Sequence, residues 1–140
     1  MATPNVLIVE DDPIFALDLQ DIVWESGCTP IGPARCLQGA LELSHSFPID
    51  IALVDTTLSD GETGLTVARL LSEQFGIRTV IVSGSIPPAD AMGDTEFVFV
   101  QKPVPAEVLG KILAPLARSG AKRGRAGYRQ DAAEASVAAL

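Results

Sequence analysis

Short segments of almost uninterrupted apolar residues alternate with segments of helical periodicity along most of this 140-residue chain. The apolar segments cover residues 6–9, 49–55, 78–84 and 96–102, and a weaker extended segment covers residues 29–32. Strands without polar alternation are buried on both faces, as in parallel sheets that carry helices on both sides. The alternation therefore predicts one α/β domain of the (βα)₅ type, with a doubly wound, parallel, five-stranded sheet.

The helices are predicted from apolar residues that recur at intervals of three and four. They cover residues 13–26, 35–46, 61–76 and 105–118. Two prolines and a glycine interrupt residues 86–94, so a further helix there, the fourth in chain order, is expected to be short or irregular. In the last helix, Pro115 is expected to bend or end the helix near Ala114.

The charge of the chain is distributed unevenly. Residues 1–117 carry 16 acidic and 5 basic side chains, a net charge of −11, whereas residues 118–140 carry 5 basic and 2 acidic side chains, a net charge of +3. Proteins that bind nucleic acid neutralise phosphates with basic surface, so the acidic body argues against a nucleic-acid partner. It suits a domain whose carboxylates bind a cation or a basic partner.

The sequence contains no apolar stretch near the length of a membrane span and no leader with charged, apolar and small-residue parts. We therefore expect no membrane segment and a cytoplasmic location. Cys28 and Cys36 match no metal-ligand spacing and are predicted to be free thiols, as is usual in the cytosol.

Polar residues stand at the ends of four predicted strands. Glu10 and Asp11 follow the first strand, Asp55 ends the third, Ser83 the fourth and Lys102 the fifth. The carboxyl ends of parallel strands meet at one edge of a sheet, where α/β proteins bind their ligands. These side chains are therefore expected to converge. Asp12, which comes next in the chain, is expected to start the first helix rather than to bind a metal.

Carboxylates gathered at one edge favour a particular chemistry. At an effective dielectric constant of about 20, two carboxylates roughly 4 Å apart repel one another by about 4 kcal/mol. Magnesium, which prefers oxygen ligands, removes that repulsion. An unpaired Asp55 could then attack a phosphoryl group, while Lys102 and the Ser83 hydroxyl stabilise the charge on the transferred oxygens.

The succession of an acidic pair, an aspartate, a serine and a Lys-Pro pair at these strand ends resembles the receiver domain of two-component response regulators. The resemblance covers about residues 4–118. It implies a flavodoxin-like fold with the strand order 2-1-3-4-5. It also implies that Asp55, in the segment LVDTTLSDG, is the phospho-accepting aspartate.

The resemblance implies roles for further residues. Glu10 and Asp11 match the acidic pair that binds Mg²⁺, with Asp11 expected to contact the ion directly, and Thr57 would supply a backbone carbonyl to it. Ser83 matches the switch hydroxyl, and Lys102 matches the lysine that contacts the phosphoryl group.

Other positions match the family pattern less fully. Phe99 matches the switch aromatic, and the peptide bond between Lys102 and Pro103 is expected to be cis. The family often has proline four residues after the acceptor, but this chain has Ser59. His45 lacks acidic or cysteine neighbours in its helix and is expected to be a solvated surface residue.

The expected function is that of a receiver, not an enzyme, that takes a phosphoryl group from a sensor histidine kinase or a phosphotransfer protein. Its output would be contact with a downstream protein. One alternative is an adaptor with the receiver fold that binds a kinase or another partner without being phosphorylated. Another is an enzyme or electron carrier of the same fold. Acids follow the first strand where a flavin-binding loop would be needed, and Thr57 replaces the second aspartate of a hydrolase.

The expected domain organisation is a receiver at residues 1–118 and a tail at residues 119–140. The tail is basic at residues 122–129 and alanine-rich at residues 130–140. It is too short for an output domain, which usually needs about 50 residues or more. It could pack on its own domain or on a neighbouring copy, which leaves a homodimer open.

Overall fold

A parallel sheet forms the centre of the molecule. The computed structural model describes residues 3–85 and 97–118. Of residue 118 it describes only the backbone. Its strands are β1 (Asn5–Val9), β2 (Thr29–Ala34), β3 (Ile51–Asp55), β4 (Arg78–Ser83) and β5 (Val98–Gln101). They are all parallel and lie in the order β2-β1-β3-β4-β5. The predicted flavodoxin-like fold and its strand order are confirmed.

Helices connect the strands and cover both faces of the sheet. The helices of the described residues are α1 (Pro13–Glu25), α2 (Leu37–Ser46), α3 (Gly64–Phe75) and α4 (Ala106–Arg118). Residues 86–94, where a short or irregular helix is predicted, lie outside the described residues. The predicted tail at residues 119–140 also lies outside them, so both remain predictions.

Two hydrophobic layers, one on each side of the sheet, form the core. Residues of α2 and α3 pack with alternate strand residues on one side, where Phe75 and Leu71 are among the largest buried side chains. Residues of α1 and α4 pack on the other side, where Leu19 and Leu109 are buried. Because the three central strands β1, β3 and β4 are buried on both faces, their polar groups lie toward the strand ends.

The first helix begins as the sequence predicts. The Asp12 side chain accepts hydrogen bonds from the backbone N–H groups of Ile14 and Phe15 and so forms the N-cap of α1. Pro13 occupies the first turn, where its missing N–H costs nothing. The interpretation of Asp12 as a helix-start residue is therefore confirmed.

Pro115 is expected to bend or end the last helix near Ala114, and the expectation that the helix ends there is wrong. Helix α4 continues past Pro115 to Arg118. Proline removes one backbone hydrogen bond, but only the final turn follows it in this helix. Leu116 and Ala117 in that turn pack against the core on the α1 side. This packing holds the last turn in place despite the proline.

The expectation that His45 is a solvated surface residue is also wrong. Its ring lies edge-on to Phe75, with ring centroids 5.0 Å apart and planes at 70°. Its Nδ1 atom is buried and has no hydrogen-bond partner within the described part of the chain. The ring thus packs at the end of α2 as part of the interface with α3.

Both cysteines are free thiols, as predicted. Cys28 is buried, and Cys36 forms the N-cap of α2, where its Sγ accepts a hydrogen bond from the backbone N of Gly39 at 3.5 Å. Within residues 3–85 and 97–118, no helix is long and apolar enough to cross a membrane.

Gly64, the first residue of α3, allows the helix to approach the end of β3 closely. Its backbone N donates to the carbonyl of Thr56 at 3.0 Å. A Cβ atom added to Gly64 would lie 1.8 Å from the carbonyl oxygen of Asp55, far inside van der Waals contact. The neighbouring atoms belong to the backbone and cannot move aside without displacing the strand end.

We expect the substitution Gly64→Ala to lower the free energy of unfolding by about 3 kcal/mol, because overpacking against rigid backbone has costs of this order. Urea unfolding monitored by circular dichroism measures the change. Gly110→Ala is the matched control. At that site a Cβ would meet only Ser26 Oγ at 3.9 Å, so the exchange in α4 should raise stability by about 0.5–1 kcal/mol. Equal unfolding midpoints for the two variants would contradict the expectation.

Candidate functional site

Glu10 and Asp11 stand directly after β1, at the carboxyl edge of the sheet. The backbone N of Glu10 donates to the carbonyl of Ala34 at 2.8 Å, so β2 holds this residue in place. The Glu10 side chain is only 1% exposed, and its Oε2 accepts a hydrogen bond from the backbone N of Asp12 at 3.1 Å. Asp11 is half-buried and faces the same region as Glu10.

Lys102 joins the ends of β1 and β3. Its Nζ lies 2.8 Å from Glu10 Oε1 and 2.8 Å from Asp55 Oδ2, forming an ion pair with each carboxylate. Asp55, the last residue of β3, is 8% exposed, and the Lys102 side chain is 23% exposed. One ammonium group therefore bridges two buried carboxylates that are far apart in the sequence.

Three carboxylates form a cluster that suits a divalent cation. Oxygen atoms of Glu10, Asp11 and Asp55 lie within 4.8 Å of one another. Carboxylate oxygens are the ligands that Mg²⁺ prefers. Thr57, the predicted source of a carbonyl ligand, lies at the exposed rim with its backbone N 3.4 Å from Asp55 Oδ1. The donor set fits magnesium chemically.

The pKa values of Glu10 and Lys102 are both shifted by burial and by their neighbours in the pocket. Burial raises the pKa of Glu10 to about 7, and the negative charge of Asp55 adds to this effect, against the hydrogen bonds from Lys102 and Asp12. Burial acts to lower the pKa of Lys102, but hydrogen bonds to Asp55 and Glu10 outweigh it, so the net shift is upward. The lysine therefore stays charged, and Glu10 keeps its proton to a higher pH than an ordinary glutamate.

Ser83, at the end of β4, lies beside this pocket. Its hydroxyl is 2.7 Å from Thr56 Oγ1 and also accepts a hydrogen bond from the backbone N of Ser85 at 3.3 Å. Thr56, the residue after Asp55, thus holds the Ser83 hydroxyl. The backbone N of Lys102 donates to the carbonyl of Ser83 at 2.8 Å, which fixes the two strand ends together.

The loop after Asp55 is tied to the start of α2. The backbone N and the Oγ of Ser59 both donate to the carbonyl of Arg35, at 2.9 and 2.8 Å. A proline has neither an N–H group nor a hydroxyl and could make neither bond. Ser59, which stands where the family often has proline, therefore attaches this loop to Arg35 by two hydrogen bonds. Asp60 next to it accepts hydrogen bonds from Thr63 Oγ1 and from the backbone N of Leu37, which lower its pKa.

The structure brings together the residues that the strand ends indicated. Glu10, Asp11, Asp55 and Lys102 form one cluster, and the Lys102–Pro103 peptide bond is cis as expected. Their functional roles remain predictions. Sequence reasoning missed one member of the site, Phe15, whose ring centroid lies 4.0 Å from Lys102 Nζ. Its position one turn after the acidic pair could have indicated this placement, but its periodicity assigned it to the core.

The sequence model of the response regulator receiver domain matches residues 6–114. The chain belongs to this family. Receiver domains are signalling domains of two-component systems rather than catalysts, so the prediction that this domain is not an enzyme is confirmed.

Similar proteins carry the receiver domain in longer chains. The chain is 30% identical over 116 residues to the phyllosphere-induced regulator PhyR of Methylorubrum extorquens, covering 82% of this chain and 40% of that protein. It is 32% identical over 114 residues to the sensor protein TorS of Escherichia coli, covering 79% of this chain and 12% of that protein. The chain therefore spans well under half the length of either relative.

A solved structure agrees with the fold. The chain is similar to the solution structure of the PhyR response regulator receiver domain of Erythrobacter litoralis, with a TM-score of 0.72 and 26% sequence identity. The match covers 82% of this chain and 90% of that one.

The raised pKa of Glu10 gives stability a defined pH dependence when divalent cations are absent. The unfolded chain releases this proton near pH 4.5, whereas the folded protein keeps it to about pH 7. Between these values the folded state binds more protons, so Glu10 makes stability fall as the pH rises. In Glu10→Gln this contribution is absent. We expect the stability of the variant relative to wild type to increase from about pH 5 to pH 7 and then to level off.

Urea unfolding in EDTA at several pH values measures this difference. Glu73→Gln, which changes an exposed carboxyl of α3, is the control for the loss of one negative charge. Stability curves of wild type and Glu10→Gln that stay parallel over this range would refute the expectation.

Proposed function

We propose that this domain accepts a phosphoryl group on Asp55 from the phosphohistidine of a sensor kinase or a phosphotransfer protein, with Mg²⁺ bound at the acidic cluster. The observation that carries the proposal is the bridge from Lys102 to both Glu10 and Asp55, which holds a cation beside a buried carboxylate at the edge of the sheet. Membership of the receiver family supports the same function.

The proposed transfer forms a bond between an Asp55 oxygen and phosphorus and breaks the bond between phosphorus and the histidine nitrogen. Magnesium held by Glu10, Asp11, Asp55 and the carbonyl of Thr57 would neutralise charge on the phosphoryl oxygens. Lys102 is already 2.8 Å from Asp55, so its ammonium group can pair with a phosphoryl oxygen after only a short movement. Positioning and charge stabilisation of this kind account for most of the catalysis of phosphoryl transfer.

The neighbouring hydroxyls suggest how phosphorylation would be sensed. Ser83 now shares a hydrogen bond with Thr56, and a phosphoryl group on Asp55 would compete for the Ser83 hydroxyl. Phe99, which pairs with Ile81 in the sheet and packs partly buried against the core, would then change its position. A hydrogen bond to a charged group is worth about 1.5–3 kcal/mol, so the effect would be a population shift between two states.

A protein partner is supported by apolar side chains exposed on α1. Ile14 is 73% exposed, Leu17 60% and Trp24 61%, and α1 begins directly after the acidic pair. Large apolar side chains that cluster at a surface are typical of protein–protein contacts. A kinase or phosphotransfer protein that covers α1 would bring its phosphohistidine close to Asp55.

We expect wild-type protein incubated with acetyl phosphate and Mg²⁺ to gain the mass of one phosphoryl group, and the Asp55→Asn variant to gain none. Intact-protein mass spectrometry measures the gain, and EDTA should abolish it because the cluster then lacks its cation. Asp60→Asn is the matched control. Asp60 is exposed and bonded to Leu37 and Thr63, so this variant should be phosphorylated like wild type.

A wild-type protein that gains no phosphoryl group would overturn the proposal. The alternative would then be a receiver-fold adaptor that binds a kinase or partner without phosphorylation. Modification of Asp55→Asn to the wild-type extent would place the acceptor elsewhere.

If Ser83 transmits the signal, the substitution Ser83→Ala should separate phosphorylation from its effect on partner binding. We expect this variant still to gain a phosphoryl group on Asp55, because Asp55 and Lys102 remain, but partner affinity should no longer respond to phosphorylation. Titration calorimetry with the partner kinase, with and without acetyl phosphate, measures the response. Ser83→Thr, which keeps a hydroxyl, is the control. If Ser83→Ala retains the full phosphorylation-dependent change in affinity, Ser83 does not transmit the signal.

A further inference from the structure

The aromatic ring of Phe15 is the third partner of the Lys102 ammonium group. The ring centroid lies 4.0 Å from Lys102 Nζ, which also contacts Glu10 and Asp55. The face of an aromatic ring carries partial negative charge and attracts cations within about 6 Å. Unlike the two carboxylates, the ring cannot be protonated, bind a metal ion or accept a phosphoryl group. Its attraction for the lysine therefore stays constant through the reaction.

The ring is itself held firmly. The backbone N of Phe15 donates to Asp12 Oδ1 at 3.4 Å, within the N-cap of α1. The side chain is half-buried and packs against the core layer between the sheet and the helices α1 and α4. Phe15 thus links the rigid start of a helix to an ammonium group at the end of β5.

Lys102 needs such support because its side chain is long. A lysine has four rotatable side-chain bonds and a compact charge, so it loses considerable rotamer freedom when its position is fixed. During the proposed reaction a divalent cation and a phosphoryl group compete with the ammonium for the same carboxylates. The contact with Phe15 is the one that this competition does not disturb.

We propose that Phe15 is a positioning residue that keeps the Lys102 ammonium over the acidic pocket, ready to pair with the incoming phosphoryl oxygens. The inference rests on the proposed phosphoryl transfer to Asp55. Phe15 acts through Lys102 and does not contact the phosphoryl group. The property required at this position is therefore an aromatic face, and a side chain of similar volume without one does not replace it.

Rates of phosphorylation by acetyl phosphate at saturating Mg²⁺ test this requirement. Phe15→Leu should be slower than wild type by about 3- to 10-fold, the range expected for a partly desolvated cation–aromatic contact. Phe15→Tyr and Phe15→Trp keep an aromatic face and should stay within about 2-fold of wild type. If Phe15→Leu does not fold, Phe15→Met takes its place. A Leu or Met variant as fast as wild type overturns the proposal.

Ile22→Ala is the control for a purely structural effect. Ile22 lies on the same face of α1 as Phe15, two turns along the helix, and packs partly buried against the same core layer. This variant should lose stability in urea without a change in phosphorylation rate. If instead the phosphorylation rates of all the variants follow their stabilities, Phe15 is only a core residue and the proposal fails.

A double-mutant cycle tests the contact itself, independently of phosphorylation. The unfolding equilibrium constants of wild type, Phe15→Leu, Lys102→Met and the double variant should reveal a coupling of about 3- to 10-fold. In addition, the Hε protons of Lys102 should show an upfield ring-current shift in wild type that disappears in Phe15→Leu.

These readouts separate the two proposals. If wild type takes up no phosphoryl group, the proposed function fails, and the coupling and the ring-current shift still test the contact. If wild type is phosphorylated but the Phe15 and Lys102 substitutions are additive in stability and no shift is seen, only the positioning role is overturned.

Discussion

The ion pairs of Lys102 with Glu10 and Asp55 are the interaction on which the site depends. Each carboxylate is buried at the carboxyl end of a largely apolar strand, where an unpaired charge has no compensation from water. Removing one partner of a buried ion pair typically costs about 3–5 kcal/mol, because it leaves the other charge alone. The lysine therefore allows the acids to be buried close together, and three carboxylates gather at this edge of the sheet.

The sheet topology creates this arrangement from distant parts of the chain. Lys102 is 92 residues from Glu10 and 47 residues from Asp55 in the sequence. The strands β1 and β3 are neighbours, and β4 separates β3 from β5. Lys102 therefore reaches across the end of β4, where its backbone N is bonded to the carbonyl of Ser83. The same parallel order that buries the strands on both faces thus gathers the charged residues at one edge.

The parts of the site that follow from strand periodicity could be predicted, and the parts that depend on packing could not. Glu10, Asp55 and Lys102 were identifiable because each ends an apolar strand. The place of Phe15 depends on how far the lysine side chain reaches, which helical periodicity does not report. The position of the His45 ring depends on its contact with Phe75, thirty residues later in the chain. The residues next to His45 in the sequence therefore do not indicate its burial. The tendency of proline to end a helix is outweighed at Pro115, because the final turn of α4 packs against the core.

The charge balance of the pocket explains why these groups suit phosphorylation. One lysine and three ionised carboxylates leave an excess of two negative charges. Burial raises the pKa of Glu10, and the negative charge of Asp55 adds to this effect. A divalent cation would bring the balance to neutral. A phosphoryl group on Asp55 would then replace one negative charge by roughly two. The new charge would draw the remaining hydrogen-bond donors toward it. Of the hydroxyls at this edge, that of Ser83 is held by another hydroxyl, a weaker partner than a phosphoryl oxygen.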